Sequence, residues 1–360
     1  YNYFEEVIFM INENETLPVS LLQSDADYEK LGLSKEKVEE WEDGLRTNPD
    51  TSEFEWWYFD TELEDKSKLV ITFFTKHYTN PVKGLVPMVD FNLTRPDGKN
   101  DIVRLGMKFP VSEFSASKEK CDVHIGKNYF SGDLSNYKIH VEFEDFSCDV
   151  ELKNSLVSWR SKTGIRRYND KEFNWLIAVP NGKTTVTLNK NGEKEVLNGI
   201  GYHDHNWGTC ILSEIIHHWY WGRGKVGDYF FVLAAVYTEK EYGYIPAYDF
   251  LLAKDGKIIA DNGQLLKLTE KDLKIDQETG KPYGNLLECS YKEGDKQFMI
   301  SLENQDIIVR NRFHDAKDGA YLRFSGDVTI KSFENNNLTD EISETGIWEM
   351  MYFGVPVNKK

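Results

Sequence analysis

From residue 54 onward the apolar positions of this chain recur every second residue, in short runs broken by turn residues. Tyr137, Ile139, Val141 and Phe143 alternate with Lys138, His140, Glu142 and Glu144, the period-two pattern of an antiparallel strand with one wet face. Phe146, Cys148, Val150 and Leu152 continue the alternation after a tight break. Residues 69–74 are short, branched and aromatic, and 230–236 are apolar throughout, as strands buried on both faces are. Residues 175–179 and 184–188 flank Pro180-Asn181-Gly182, which predicts a hairpin. The same logic pairs 250–253 with 258–260 and 288–291 with 298–302, and strands at 321–330 and 347–353 close the chain.

Helical periodicity is confined to the first 50 residues, where an acidic lead-in is predicted to hold one short helix, capped by Ser34 and reaching Trp41. Strands at roughly 8–12-residue spacing with turn punctuation indicate an all-β protein of antiparallel barrels or sandwiches. Trp56-Trp57-Tyr58 is echoed by Trp219-Tyr220-Trp221, which suggests a duplicated β unit. The expected organisation is a lead-in over 1–50, a first β domain over 51–195 and a second over 196–360.

Composition narrows the partners. The chain has 360 residues, enough for about two domains, and 40% of them are hydrophobic, ample for packed cores. Its net charge of -17 repels phosphate backbones, so nucleic acid and anionic membrane surfaces are not expected partners. No apolar run approaches the roughly 20 residues of a transmembrane helix. Cys121, Cys148, Cys210 and Cys289 are widely spaced without a CxxC pair, which argues against a structural zinc scaffold. The start at Tyr1, without an initiator Met, is consistent with a trimmed or processed N-terminus, and neither compartment nor oligomeric state is legible.

Candidate chemistry concentrates in three aromatic patches. Residues 201–208 read Gly-Tyr-His-Asp-His-Asn-Trp-Gly, followed by His217-His218-Trp219-Tyr220-Trp221, and upstream stands Glu55-Trp56-Trp57-Tyr58. On a strand, His203 and His205 point to one face, as two metal ligands would. No third ligand stands at a diagnostic spacing, so no metal is assigned and no cofactor is called for. An acid–base reading fits better: Asp204, with His205 and Glu239 or Asp249 nearby, lies in aromatic surroundings that raise a carboxyl pKa. Such an acid can protonate an olefin or ether, and indole faces stabilise the cation that forms. There is no Gly-x-Ser-x-Gly elbow, and Cys210 fits no nucleophile signature. Arg223 is expected to pair with a carboxylate, and Arg166-Arg167 reads as a solvated turn.

At these residues the chain resembles the hydroxyneurosporene synthase (carotenoid 1,2-hydratase) and AttH-like superfamily. The resemblance rests on Glu55-Trp56-Trp57-Tyr58, the 201–208 string and Trp219-Tyr220-Trp221-Gly222, in this order and spacing. It implies two tandem lipocalin-like β-barrel domains with a ligand pocket near their junction. It also implies cofactor-independent chemistry on apolar, often isoprenoid or polyene, small molecules, either hydration or cyclisation. The His and Trp implicated in the hydratases match His205 and Trp207. The Tyr-x-Asp proton donor has its nearest match in Tyr237-Thr238-Glu239, with Tyr248-Asp249 as the alternative. The expected catalytic set is therefore His205, Trp207, Asp204, Glu239 and Tyr237. Trp56, Trp57, Tyr58, His203, Asn206, Trp219, Trp221, Tyr248 and Asp249 are expected to bind substrate. The competing expectation is a binding or carrier protein in which the same pocket holds a hydrophobic ligand unchanged.

Overall fold

The computed structural model describes residues 18–97, 99–313 and 317–356; the first 17 positions of the predicted lead-in lie outside them. The lead-in contributes strand β1 (Val19–Leu21) and helix α1 (Asp25–Leu31). Ser24 caps α1 reciprocally with Asp27, and Gly32 ends the helix in the left-handed region at φ 69°. The helix expected from Ser34 does not form, and only a 3-10 turn at Glu40–Asp43 does. Three residues after Ser34 stands Lys37, which cannot return a hydrogen bond, whereas Asp27 can.

The first sheet begins with a meander of β2 (Phe54–Leu63), β3 (Lys68–Lys76), β4 (Met88–Thr94) and β5 (Asn100–Lys108). A second run follows: β6 (Phe114–Ala116), β7 (Asp122–Ile125), β8 (Asn128–Gly132), β9 (Asn136–Phe143) and β10 (Phe146–Asn154). It is completed by β11 (Ile165–Tyr168), β12 (Lys171–Lys190) and β13 (Glu193–Gly208). Across the sheet the order is β5-β4-β3-β2-β13-β12-β10-β9-β8-β7-β6, with β11 on β12 and β1 on β11. The second sheet opens with β14 (Ile216–Val226), β15 (Tyr229–Thr238), β16 (Pro246–Lys254) and β17 (Lys257–Ala260). It continues with β18 (Leu266–Ile275), β19 (Pro282–Glu293), β20 (Lys296–Arg312), β21 (Ala320–Glu334) and β22 (Asn337–Tyr352). Its order, β17-β16-β15-β14-β22-β21-β20-β19-β18, repeats that of the first. In each sheet a four-strand meander joins, through its first strand, the last strand of the same sheet: β2 on β13 and β14 on β22. Trp56-Trp57-Tyr58 and Trp219-Tyr220-Trp221 lie on these equivalent first strands, which gives their echo a structural meaning.

Each sheet curls round its own core. Trp57, Phe59, Phe73 and Phe91 belong to the first, and Tyr220, Phe231, Leu233 and Trp348 to the second. The outer faces of the two sheets then pack on each other through Trp56, Phe74, Val236 and Phe353, and through Tyr202, Phe230, Val232 and Leu251. That is why β15 is buried along its whole length: its successive residues enter two different apolar layers, and no polar face survives.

Three expectations are corrected. Residues 180–182 form no hairpin, since β12 runs straight through them. Its register against β13 slips between Ile177 and Val179 and again before Gly182, so Pro180 falls in an irregularity where its missing N–H interrupts no ladder. The strand carrying 201–208 belongs to the first sheet, between β2 and β12, so a boundary at 195/196 would cut it, and the chain changes sheets at 209–215. Arg166 is no solvated turn residue but is buried at 7% exposure. All four cysteines are free and buried. Among the described residues, no helix is long and apolar enough to cross a membrane.

Candidate active site

A cavity of about 370 Å³ lies between the outer faces of the two sheets. Period two decides which predicted residues reach it. From β2 come Trp56 and Tyr58, from β13 Asp204 and Asn206, from β14 Trp219 and Trp221, and from β16 Asp249. Their neighbours in sequence face the other way. Trp57, His203 and His205 enter the first core, where the rings of Trp57 and His205 stack at 4.7 Å. Trp207 is half-buried with its ring 5.0 Å from His205. Tyr237 lies in the second core, stacked on His218 at 4.3 Å, with Tyr248 packed against the same core. Glu239, just past β15, accepts from Lys317 Nζ at 2.6 Å and is not part of the cavity wall. The cavity thus gathers seven of the fourteen predicted side chains.

Asp204 is the best-placed acid in that wall. Its Oδ2 accepts from Trp175 Nε1 and Tyr202 OH, both at 2.8 Å, and its Oδ1 accepts from Asn206 Nδ2 at 2.8 Å. Burial pushes its pKa up to about 6, and these hydrogen bonds to the anion offset only part of that rise. The same strand geometry that hides His203 and His205 presents this carboxyl to the cavity between indoles.

Several wall residues were not anticipated. Asp90, on β4, is also pushed up to about 6 by burial, although Gly106 N donates to it at 2.6 Å. Asn92, two residues on, keeps a buried Oδ1 without a partner. His77 stacks on Tyr78 at 4.1 Å, and burial pushes its pKa down to about 4, so the imidazole is neutral near pH 7. From the second sheet, Glu349 accepts from Tyr321 OH at 2.6 Å with Arg323 3.7 Å away; burial raises its carboxyl pKa. Arg166 grips Asp249 bidentately at 3.1 and 2.9 Å and so bridges β11 to β16. Arg223 pairs with Asp60, as a carboxylate partner was expected. Asp90 and Asn92 left one trace in the sequence: they are the polar positions of an alternating strand whose wet face proves to be this cavity.

The Diels-Alderase-like family profile matches residues 148–313. A hydroxyneurosporene dehydrogenase of Chlorobaculum tepidum is 26% identical over 205 residues, covering 47% of this chain and 53% of that one. A quinolone epoxide rearrangement protein of Penicillium thymicola is 36% identical over 87 residues, 24% of this chain and 23% of that one. The chain therefore spans about half the length, or less, of these curated relatives. Among solved structures, a putative AttH of Nitrosomonas europaea superposes with a TM-score of 0.55 at 16% identity, covering 84% of this chain and 93% of that one. The chain shares the fold of this AttH-like protein. Kievitone hydratase of Nectria haematococca gives a TM-score of 0.55 at 14% identity over 89% of this chain and 94% of its own. CghA with Sch210972 gives 0.61 at 14% identity, covering 93% and 98%. The chain thus has the expected all-β, lipocalin-like architecture in tandem.

Proposed function

We propose that this protein is a cofactor-independent enzyme that protonates an alkene of an apolar, isoprenoid- or polyene-like small molecule in the inter-sheet cavity. The outcome is hydration or cyclisation and isomerisation. The observation that carries the reading is Asp204: a buried carboxyl with its pKa near 6, set in a wall with Trp56, Trp175, Trp219 and Trp221. Oδ2 takes two donors and Oδ1 only one, so the open position on Oδ1 holds and delivers the proton. The carbocation then forms beside indole faces, which stabilise positive charge, while the Asp204 anion keeps its three hydrogen bonds. In cyclisation or isomerisation the anion takes back a proton from an adjacent carbon. In hydration, water adds to the cation and its surplus proton restores Asp204. Each cycle returns the residue to its starting state.

The names of similar proteins agree with that chemistry, since one is a hydratase and another rearranges a quinolone epoxide. A cavity of this size sits at the lower end of the roughly 300–1,000 Å³ typical of small-molecule sites. The proposal takes each sheet as one domain with the site at their junction, and the net charge of -17 leaves nucleic acid outside the partners considered.

The test is mass spectrometry of polyene, prenylated and epoxide substrate pools incubated with the protein, scanning for gain of one water or for an isomer. Asp204→Asn is expected to lower turnover by about 10²-fold or more, whereas Glu239→Gln, outside the cavity, stays near wild type. An Asp204→Asn variant with wild-type turnover would sink the assignment. Recovery of an unchanged apolar ligand, with no turnover of any pool, would establish the carrier reading instead.

A further inference from the structure

The strand that presents Asp204 to the cavity turns His203 and His205 into the first core, where they meet two distant segments. Asp43 ends the 3-10 turn of the lead-in and Cys121 precedes β7; each is 1% exposed, and both histidines are fully buried. Donor atoms of Asp43, Cys121 and His203 lie within 4.8 Å of one another. Both imidazoles are oriented from behind: His203 Nδ1 is 2.8 Å from Tyr58 O, and His205 Nε2 is 2.7 Å from Glu55 Oε1. His203 Nε2 lies 3.1 Å from Asp43 Oδ2, and His205 Nδ1 points toward Asp43 Oδ1. Asp43 is held in turn by Tyr137 OH at 2.6 Å on Oδ2 and by Trp57 Nε1 at 3.0 Å on its carbonyl.

Two atoms in this dry cluster have no hydrogen-bond partner, Asp43 Oδ1 and His205 Nδ1, and they face each other at 3.4 Å. The Cys121 thiol donates to Phe130 O at 3.6 Å and also interacts with the Asp43 carboxylate. An acceptor left unpaired in a buried site is costly, and a cation bound beside Asp43 Oδ1 pairs it. We propose that this cluster is a divalent metal site of zinc-like preference, with Cys121 Sγ, His203 Nε2 and the Asp43 carboxylate as donors. Mixed nitrogen, oxygen and thiolate ligation suits zinc. Tyr58 O supplies the outer hydrogen bond that fixes the ligating imidazole of His203. Binding releases the Cys121 thiol proton to solvent and forms the metal–sulfur bond in its place. The site ties the lead-in to β7 and to β13, directly behind Asp204.

The test reads no activity, so its outcome is independent of the proposed chemistry. The full chain is loaded with Zn²⁺, dialysed against metal-free buffer and measured by elemental analysis, and a parallel sample is loaded with Co²⁺. Wild type is expected to retain one equivalent of zinc and to show a thiolate-to-cobalt charge-transfer band with the visible bands of tetrahedral cobalt. Cys121→Ala, a small truncation, should lose the charge-transfer band, and Asp43→Asn should bind zinc at least about tenfold more weakly, each with unchanged far-ultraviolet circular dichroism. Wild-type protein that retains no stoichiometric zinc, or a cobalt band that survives in Cys121→Ala, would overturn the site. The wild-type stoichiometry decides the matter even if a variant fails to fold.

Discussion

At the residue scale, Asp204 makes two opposing contributions. Its folded pKa near 6 stands about two units above that of an exposed carboxyl. The folded protein therefore binds the proton more tightly than the unfolded chain. Stability from this group is complete below about pH 4 and is lost as pH rises through about 6. Two units correspond to about 3 kcal/mol. Urea unfolding of wild type and Asp204→Asn should show the difference moving toward the variant by up to about that amount between about pH 4 and pH 7. Turnover should follow the same titration, falling about tenfold per pH unit above about pH 6 as the acid form disappears. A pH–rate profile that stays flat from pH 5 to about pH 8 would contradict Asp204 as the proton donor. The carboxyl was legible as an acid because its neighbours are aromatic. The inward turn of His203 and His205 was not legible. Residues 201–206 are all buried, and a strand buried on both faces carries no polar side to show which set of alternating residues looks where.

At the scale of elements, glycine and one ion pair determine how the strands approach. A Cβ on Gly201 would stand 2.1 Å from Thr184 Oγ1 and 3.1 Å from Phe59 Cε2, so β13 lies against β12 and β2 only because the side chain is absent. Gly201→Ala should cost about 1–3 kcal/mol in chemical denaturation, and Thr184→Ala in the same chain should recover part of it. The Arg166–Asp249 pair clamps the first sheet to the second with both side chains about one-tenth exposed. Arg166→Met alone strands a buried carboxylate and should destabilise by about 3–5 kcal/mol, whereas adding Asp249→Leu should restore much of that. The hairpins at 250–260 and 288–302 were readable because their turns and pairing are local. The course of β12 through Pro180 was not, since a bulge and a turn share the same residues and only the long partner strand β13 distinguishes them.

For the whole molecule, the all-β class and the duplication followed from alternation and from the repeated Trp patch. Which sheet claims β13 did not follow, because that depends on pairing with β2, about 140 residues earlier in the chain. The net charge of -17 makes the folded state repel itself. Raising sodium chloride from about 0.05 to about 0.5 M should therefore lift the thermal midpoint by a few degrees, read by scanning calorimetry. The doubly covered strands have one more consequence. On β2, β13, β14 and β15 alternate residues answer to different constraints, one set to a core and the other to the cavity. Mutations in the cavity-facing set can redirect specificity while the inward set preserves the architecture, so the two can diverge at separate rates. A fold built this way can keep superposable backbones, as with CghA at a TM-score of 0.61, when only 14% of residues are identical.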